Sequence, residues 1–352
     1  MTVLNALTVD VEEWYHICDA EPFIAPADWP SLPSRLMIGL DVLLADLAKA
    51  GARATFFVLG DAAARTPRAV PSILSAGHEI ASHGCSHKQV YKMSPEEFEA
   101  DLDRSVGILK EQGAGDVRGF RAPEWSIRPD SLWALDVLAR RGFRYDSSIY
   151  PIRIIGMPAA RPGLWRVSSG GGFKRAESPN TPQTAGPDSE TPPLCKGRDG
   201  WGRCDRKTNL GSVPASTSPD PSLQRRGTED GGTSTGNWAL VEWTPPVRRI
   251  MGENVPFSGG LHLRLLPYKT IARWIRELNG QGVPALVYVH PWEMDPDPPR
   301  VQLGAVKRFV HYARIGAARE KLKQLLSDFR FAPIGAILDD LDPAALPEGP
   351  ER

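Results

Sequence analysis

The chain has 352 residues, with 42 Lys+Arg against 42 Asp+Glu, so its formal net charge is zero. That balance offers no footing for a nucleic-acid partner, and no apolar run is long enough to predict a transmembrane segment. The length suits one large α/β domain or two smaller ones.

Residues 4–11 are apolar and read as a buried strand. It runs into Asp10, Glu12 and Glu13, carboxylates that are costly to desolvate without partners. Because these acidic groups come so early, with no basic stretch and apolar core before them, the expected location is cytoplasmic. Residues 34–50 carry Leu36, Leu40, Leu43, Leu44 and Leu47 at helical spacing, with Gly51 as the stop. Residues 54–59 form a second strand. The next helix is predicted to open with Thr66 as N-cap and Pro67 in its first position, and to close at Gly77. Residues 78–83 make a third strand that delivers His83. His87 follows four positions later, and Gly84 between them allows the backbone to turn both imidazoles toward one point.

Ser94-Pro95-Glu96-Glu97 is a capping-box start for a helix to about residue 110. Residues 119–123, a helix over 132–141 and a strand over 143–146 complete this half. Alternating strands and helices predict a parallel sheet, open or closed into a barrel. In such folds the strand C-termini face the active site, and Asp10, His83, Arg121 and Asp146 stand at or just past such ends.

From 169 to 237 the chain is rich in Gly, Pro, Ser and Thr and poor in large apolar groups. It cannot bury enough surface to offset its ordering entropy, so a disordered insertion is expected. The domain reading is therefore 1–168, the insertion 169–237, a second ordered part 238–340, and a frayed tail 341–352. In the second part, residues 238–243 and 284–289 read as strands, and 268–278 and 317–329 as helices. Strand 284–289 ends in His290-Pro291-Trp292-Glu293. The four cysteines (Cys18, Cys85, Cys195, Cys204) form no C-x-x-C pair and are expected to be reduced. Cys85 lies between the two histidines, but thiolate ligands of zinc come in closed structural sets, which argues against it as a ligand. His78 reads as a packed strand residue; His16, His262 and His311 match no ligand spacing.

Five motifs in order carry a family resemblance: Thr8-Val9-Asp10-Val11-Glu12-Glu13-Trp14, Ser82-His83-Gly84-Cys85-Ser86-His87, Arg121-Ala122-Pro123-Glu124-Trp125, Tyr145-Asp146-Ser147-Ser148 and Val287-Tyr288-Val289-His290-Pro291-Trp292. The chain resembles the NodB-type polysaccharide deacetylases over residues 4–168 and 238–335. More narrowly, Pro256-Phe257-Ser258-Gly259-Gly260, Leu265-Leu266-Pro267-Tyr268 and His311-Tyr312-Ala313-Arg314 resemble the deacetylases of exosortase-associated exopolysaccharide clusters. The resemblance implies a distorted (β/α) barrel of about seven strands and removal of N-acetyl groups from a polysaccharide or oligosaccharide in exopolysaccharide biosynthesis. It also implies a divalent metal held by two histidines, His83 and His87, and one carboxylate. Zn2+ is the first choice of ion, with Co2+ or another divalent ion as alternatives. By the same resemblance Asp10 is the general base and His290 the general acid. Arg121 fits as the cation beside Asp10, and Asp146 as the partner that orients His290. The backbone N–H of Glu124 is the implied oxyanion donor, and Trp125 and Trp292 are candidate sugar-ring walls.

One departure stands out. The commonest form of the family has two adjacent aspartates, base then ligand, whereas Val11 follows Asp10 here. In a strand Asp10 and Glu12 share a face while Glu13 points away, so Glu12 is preferred as the third ligand; a bulge would present Glu13 instead. Two other readings stay open: a metal-dependent hydrolase of other non-peptide amide C–N bonds, and a carbohydrate-binding protein without turnover. A glycosidase would need an acidic pair and no metal.

Overall fold

The computed structural model describes residues 3–153, 156–167 and 240–349, together with the backbone of 194–197 and 200–203. Strand and helix alternate from the start: β1 (Asn5–Val11), α1 (Leu36–Ala50), β2 (Thr55–Val58), α2 (Gly60–Arg65), α3 (Ala69–Ser75), β3 (Glu79–Ser82), α4 (Pro95–Glu111), β4 (Gly119–Phe120), α5 (Trp133–Arg140) and β5 (Tyr145–Asp146). After β6 (Gly163–Arg166), residues 174–236 form a separate unit in which β7 (Leu194–Gly197) and β8 (Gly200–Arg203) pair antiparallel. The first unit resumes with β9 (Val241–Thr244), β10 (Val247–Ile250), β11 (Glu253–Pro256), α6 (Gly260–Leu265), α7 (Tyr268–Gly280), β12 (Leu286–Val289), α8 (Ala305–Tyr312), α9 (Ala317–Asp328), β13 (Phe331–Ala332) and α10 (Ile334–Asp339).

Seven parallel strands pair in the order β12-β1-β2-β3-β4-β5-β9, with β6 antiparallel on β9 and β13 against the start of β1. The sheet curls into a nearly closed (β/α) barrel, as the strand–helix alternation predicts. Strand period sorts the two faces. Leu7, Val9 and Val11 pack outward with Phe56, Val58, Val287 and the helices. Ala6 points inward with Phe57, Tyr145, Trp243 and Tyr288. The inward face of β1 therefore carries Thr8 and Asp10 to the C-terminal end of the barrel. Among the described residues no helix is long and apolar enough to cross a membrane.

Local signals are realised in part. Gly51 closes α1 in the left-handed region (φ 60°). At α4, Ser94 Oγ accepts from the Glu97 N–H and Glu97 Oε2 from the Ser94 N–H, the full capping box. Thr66 does not cap a helix start. It ends α2, in a non-helical conformation (φ −125°, ψ 71°), and α3 begins only at Ala69. The proline after Thr66 disfavours helical dihedrals in the residue before it, so Thr66-Pro67 separates two short helices.

The expected fraying of 341–352 gives way as far as residue 349. The Arg166 N–H donates to the Pro347 carbonyl (2.8 Å) and the Gly349 N–H to the Arg166 carbonyl (3.0 Å), so the tail covers the edge of β6. The expected disorder of 169–237 falls largely outside the described residues. Within that span only the backbone of β7 and β8 is described, and the two pair antiparallel.

Candidate metal centre and active site

Three side chains from two chain segments converge at the C-terminal end of the barrel. Glu12 follows β1, His83 follows β3, and His87 lies beyond a turn in which Gly84 takes φ 75°. That turn is held by Asp101 of α4, whose carboxylate accepts from the Cys85 N–H (2.7 Å) and the Ser86 N–H (3.0 Å). A Cβ at position 84 would stand 3.0 Å from Asp101 Oδ2 in a dihedral region that L residues rarely adopt. His87 itself sits at φ 54°, a non-glycine residue in the left-handed region next to its function.

Glu12 Oε2 lies 2.7 Å from His87 Nε2 and 3.8 Å from His83 Nε2, and all three ligand atoms fall within 4.8 Å of one another. His83 Nδ1 donates to the Arg121 carbonyl (2.8 Å), which leaves Nε2 as its lone-pair nitrogen facing Glu12. Burial pushes the Glu12 carboxyl up, but His87, His83 and His290 outweigh it and hold it well below the usual carboxylate range. Two imidazole nitrogens and one ionised carboxylate are a donor set that fits a divalent metal ion. Cys85 is buried and free and is not part of this group.

Glu13 turns away. Its carboxylate accepts from the Arg35 N–H (3.1 Å), the Leu36 N–H (3.2 Å) and the Ser34 hydroxyl, and so caps the start of α1.

Asp10 and His290 flank the group. Asp10 Oδ1 accepts from Arg121 Nη1 at 2.6 Å. The fully buried guanidinium also donates to Thr8 Oγ1 and to Ser147, and packs between the rings of Phe57 and Trp125. His290 Nε2 stands 3.9 Å from Asp10 Oδ2 and 3.7 Å from Glu12 Oε1. Its Nδ1 is 3.0 Å from Glu293 Oε2, which also accepts the His290 backbone N–H (3.1 Å). Burial works to lower the imidazole pKa, but Glu293, Glu12 and Asp10 overcome it and raise it to about 9. Trp292 stacks on His290 (ring centroids 5.0 Å apart) and donates Nε1–H to Glu12 Oε1 at 3.2 Å.

Two expectations are corrected by this geometry. Asp146 does not orient His290. It lies at the end of β5, bonded to Ser148 Oγ and opposite Glu242 of β9 in register. Glu293 holds the imidazole instead, because the 291–293 turn closes a capping box that returns its carboxylate to His290. The signal was present in the sequence as a carboxylate three positions beyond the histidine. Trp125 is not an open sugar wall: it is 6% exposed, stacked on Tyr150 (5.1 Å) and edge-on to Tyr288 inside the barrel. Glu124 and Trp125 both adopt positive φ (53° and 55°), and the Trp125 N–H is bonded to the Ala122 carbonyl.

The remaining histidines spread out. His16 is buried beside His87 (ring centroids 5.7 Å), with Nε2 3.3 Å from Asp61 and Nδ1 accepting the Glu13 N–H. Burial pushes its pKa down to about 4 despite Asp61. A cavity of about 240 Å³ lined by Tyr15, His16, Trp29, His87 and Lys88 opens beside it. His78 packs on Phe56 and accepts the Ala54 N–H, and His311 faces Asp19 at 3.5 Å.

A family model described as polysaccharide deacetylase matches residues 40–145, and one described as a domain of unknown function (DUF3473) matches residues 216–339. A peptidoglycan deacetylase of Helicobacter pylori is 30% identical over 112 residues, 32% of this chain and 37% of that protein. The peptidoglycan deacetylase-like protein FGM2 of Gibberella zeae is 30% identical over 114 residues, 32% of this chain and 33% of that one. The matched segment thus spans about a third of either relative's length. Among solved structures, a Mycobacterium smegmatis protein assigned as a polysaccharide deacetylase aligns over 99% of this chain and 93% of its own, with TM-score 0.53 and 21% identity, and shares the fold. Over residues 40–145 the chain therefore matches the polysaccharide deacetylase family, in agreement with the barrel and the motif order.

Proposed function

We propose that the protein is a metal-dependent hydrolase that removes acetyl groups from N-acetylated amino sugars of a polysaccharide. The observation that carries this reading is the Glu12–His83–His87 group, flanked by an Asp10–Arg121 pair and a His290–Glu293 pair. The peptidoglycan deacetylases among the relatives favour an N-acetylated amino sugar as the substrate class. The C-terminal likeness to deacetylases of exopolysaccharide clusters favours a polymer made for export.

A divalent ion held by Glu12, His83 and His87, Zn2+ in the first instance, would supply Lewis acidity toward the acetamide carbonyl and an acidified water. Asp10, held by Arg121, takes a proton from the attacking water. His290, bonded through Nδ1 to Glu293, carries a proton on Nε2, which stands 3.7 Å from Glu12 Oε1. It gives that proton to the amine nitrogen as the C–N bond breaks and its electron pair moves to nitrogen. A carboxylate base and an imidazolium acid with separated pKa values are what amide hydrolysis near neutrality needs.

The test is acetate release from an N-acetylglucosamine oligomer by wild type, metal-stripped wild type and His83→Ala. Release that requires both metal and His83 supports the assignment. Metal binding without acetate release would move it to another amide substrate, and no metal binding would leave a carbohydrate-binding protein.

A further inference from the structure

Behind His290 runs a buried chain of charged groups that the reaction scheme above does not use. Glu293, 1% exposed, turns Oε2 to the His290 ring and Oε1 to Arg264, whose Nε lies 3.1 Å away as an ion contact. Arg264, at 2% exposure, ranks among the largest fully enclosed side chains of the molecule. Its hydrogen bonds go to backbone carbonyls: Nε to Gly260 (3.4 Å), Nη1 to His311 (2.8 Å) and Ala313 (2.9 Å), and Nη2 to Val310 (2.7 Å).

These carbonyls orient the guanidinium but carry no net charge, so they cannot neutralise it. Val310 and His311 belong to the last turn of α8, whose free carbonyls form the negative end of the helix. The planar fork is thereby fixed by carbonyls, while its Nε, which donates to Gly260, lies 3.1 Å from Glu293 Oε1 as a charge contact rather than a hydrogen bond. A carboxylate this deeply buried needs a cation to remain ionised. Arg264 supplies a cation whose charge does not change during the reaction.

We propose that Arg264 is a positioning residue that fixes the Glu293 carboxylate and, through it, aims His290 Nε2 at the leaving amine. This rests on the reading of His290 as the acid. It also assigns a role to residues 260–313 outside the polysaccharide deacetylase match: α6 supplies the guanidinium and the end of α8 supplies the carbonyl socket that holds it.

The experiment exploits the leaving group. Hydrolysis of the sugar acetamide expels an amine that must gain a proton, whereas 4-nitrophenyl acetate expels a stable aryloxide that needs none. Both reactions are measured on metal-loaded wild type, Arg264→Met and Arg264→Lys. On the N-acetylglucosamine oligomer, kcat is expected to fall about 10–100-fold in Arg264→Met, as for other residues that orient a site group. KM should stay within about threefold. Ester hydrolysis should stay near wild type, and Arg264→Lys should show the same selectivity with a smaller loss. An equal fall of both activities would make Arg264 a folding residue only, and no fall in either would remove it from the site; both overturn the proposal. If Arg264→Met does not fold, the ratio of the two activities in Arg264→Lys decides. Wild type that cleaves the ester but releases no acetate from the oligomer refutes the functional reading, an outcome visible before any variant is made.

Discussion

Asp146 and Glu242 face each other across β5 and β9 with no exposure. Burial pushes both carboxyls up: Asp146 to about 6, and Glu242 well above its ordinary value with the Asp146 charge adding to the effect. Each has one oxygen, Asp146 Oδ2 and Glu242 Oε2, that meets no donor, which is what a proton shared between two carboxyls requires. A raised carboxyl pKa means the folded state holds protons that the unfolded chain has released. Stability from this pair is therefore full below the ordinary carboxylate range and declines as pH rises through about 6 and above. Glu242→Gln, with a permanent N–H donor, should flatten the fall of the thermal midpoint as pH rises from the ordinary carboxylate range through about 6; an unchanged slope would mean the pair holds no proton. His16 and His78 act in the opposite sense, because each is lowered to about 4, mainly by burial. The protein should lose stability on acidification from the ordinary histidine range toward pH 4. His78→Asn, which keeps an acceptor for the Ala54 N–H, should lessen that loss in a midpoint-against-pH series.

At the scale of elements, two adjacent glutamates do separate jobs because a strand ends between its faces. Glu13→Ala should strand the first N–H groups of α1 and cost about 1–3 kcal/mol in denaturant unfolding, with metal affinity intact. Glu12→Ala should abolish tight metal binding and leave α1 capped; metal titration and unfolding of the two variants must give opposite patterns. Helix α1 also reaches the His290 turn. A Cβ at Gly39 would stand 1.8 Å from the Pro291 carbonyl, so the helix lies directly against the turn that carries His290 and Glu293. Gly39→Ala is expected to cost about 1–3 kcal/mol through overpacking and to lower deacetylation by displacing that turn, although residue 39 touches no reacting group. Full activity in Gly39→Ala would show that the turn tolerates the shift.

For the whole molecule, the long excursion after β6 leaves and returns at one place. The Val167 N–H donates to the Leu240 carbonyl at 2.8 Å, and Arg166 pairs with Val241. A short turn can therefore close β6 onto β9, and shortening the loop reduces closure entropy. Replacing residues 174–236 with a brief Gly/Ser turn should leave the metal stoichiometry of the barrel unchanged and its thermal midpoint equal or higher; loss of both would make that unit structural.

What the sequence by itself determined is local: the Gly51 stop, the Ser94–Glu97 box, the alternation that builds a parallel barrel, and the strand period that separates Glu12 from Glu13. Each depends on neighbours a few positions away, and backbone geometry converts that spacing directly into a face or a cap. The Thr66-Pro67 break was equally local but was read with the wrong sign, as a helix start. The Glu293–His290 contact is local too, three positions along the chain, whereas the tertiary structure alone decided that Trp125 closes the barrel interior and that Arg264 stands behind Glu293. Those outcomes depend on which strand ends and turns become neighbours once the barrel curls. The cost of burying a charge then selects the partners that can neutralise it, and no periodicity along the chain encodes that choice.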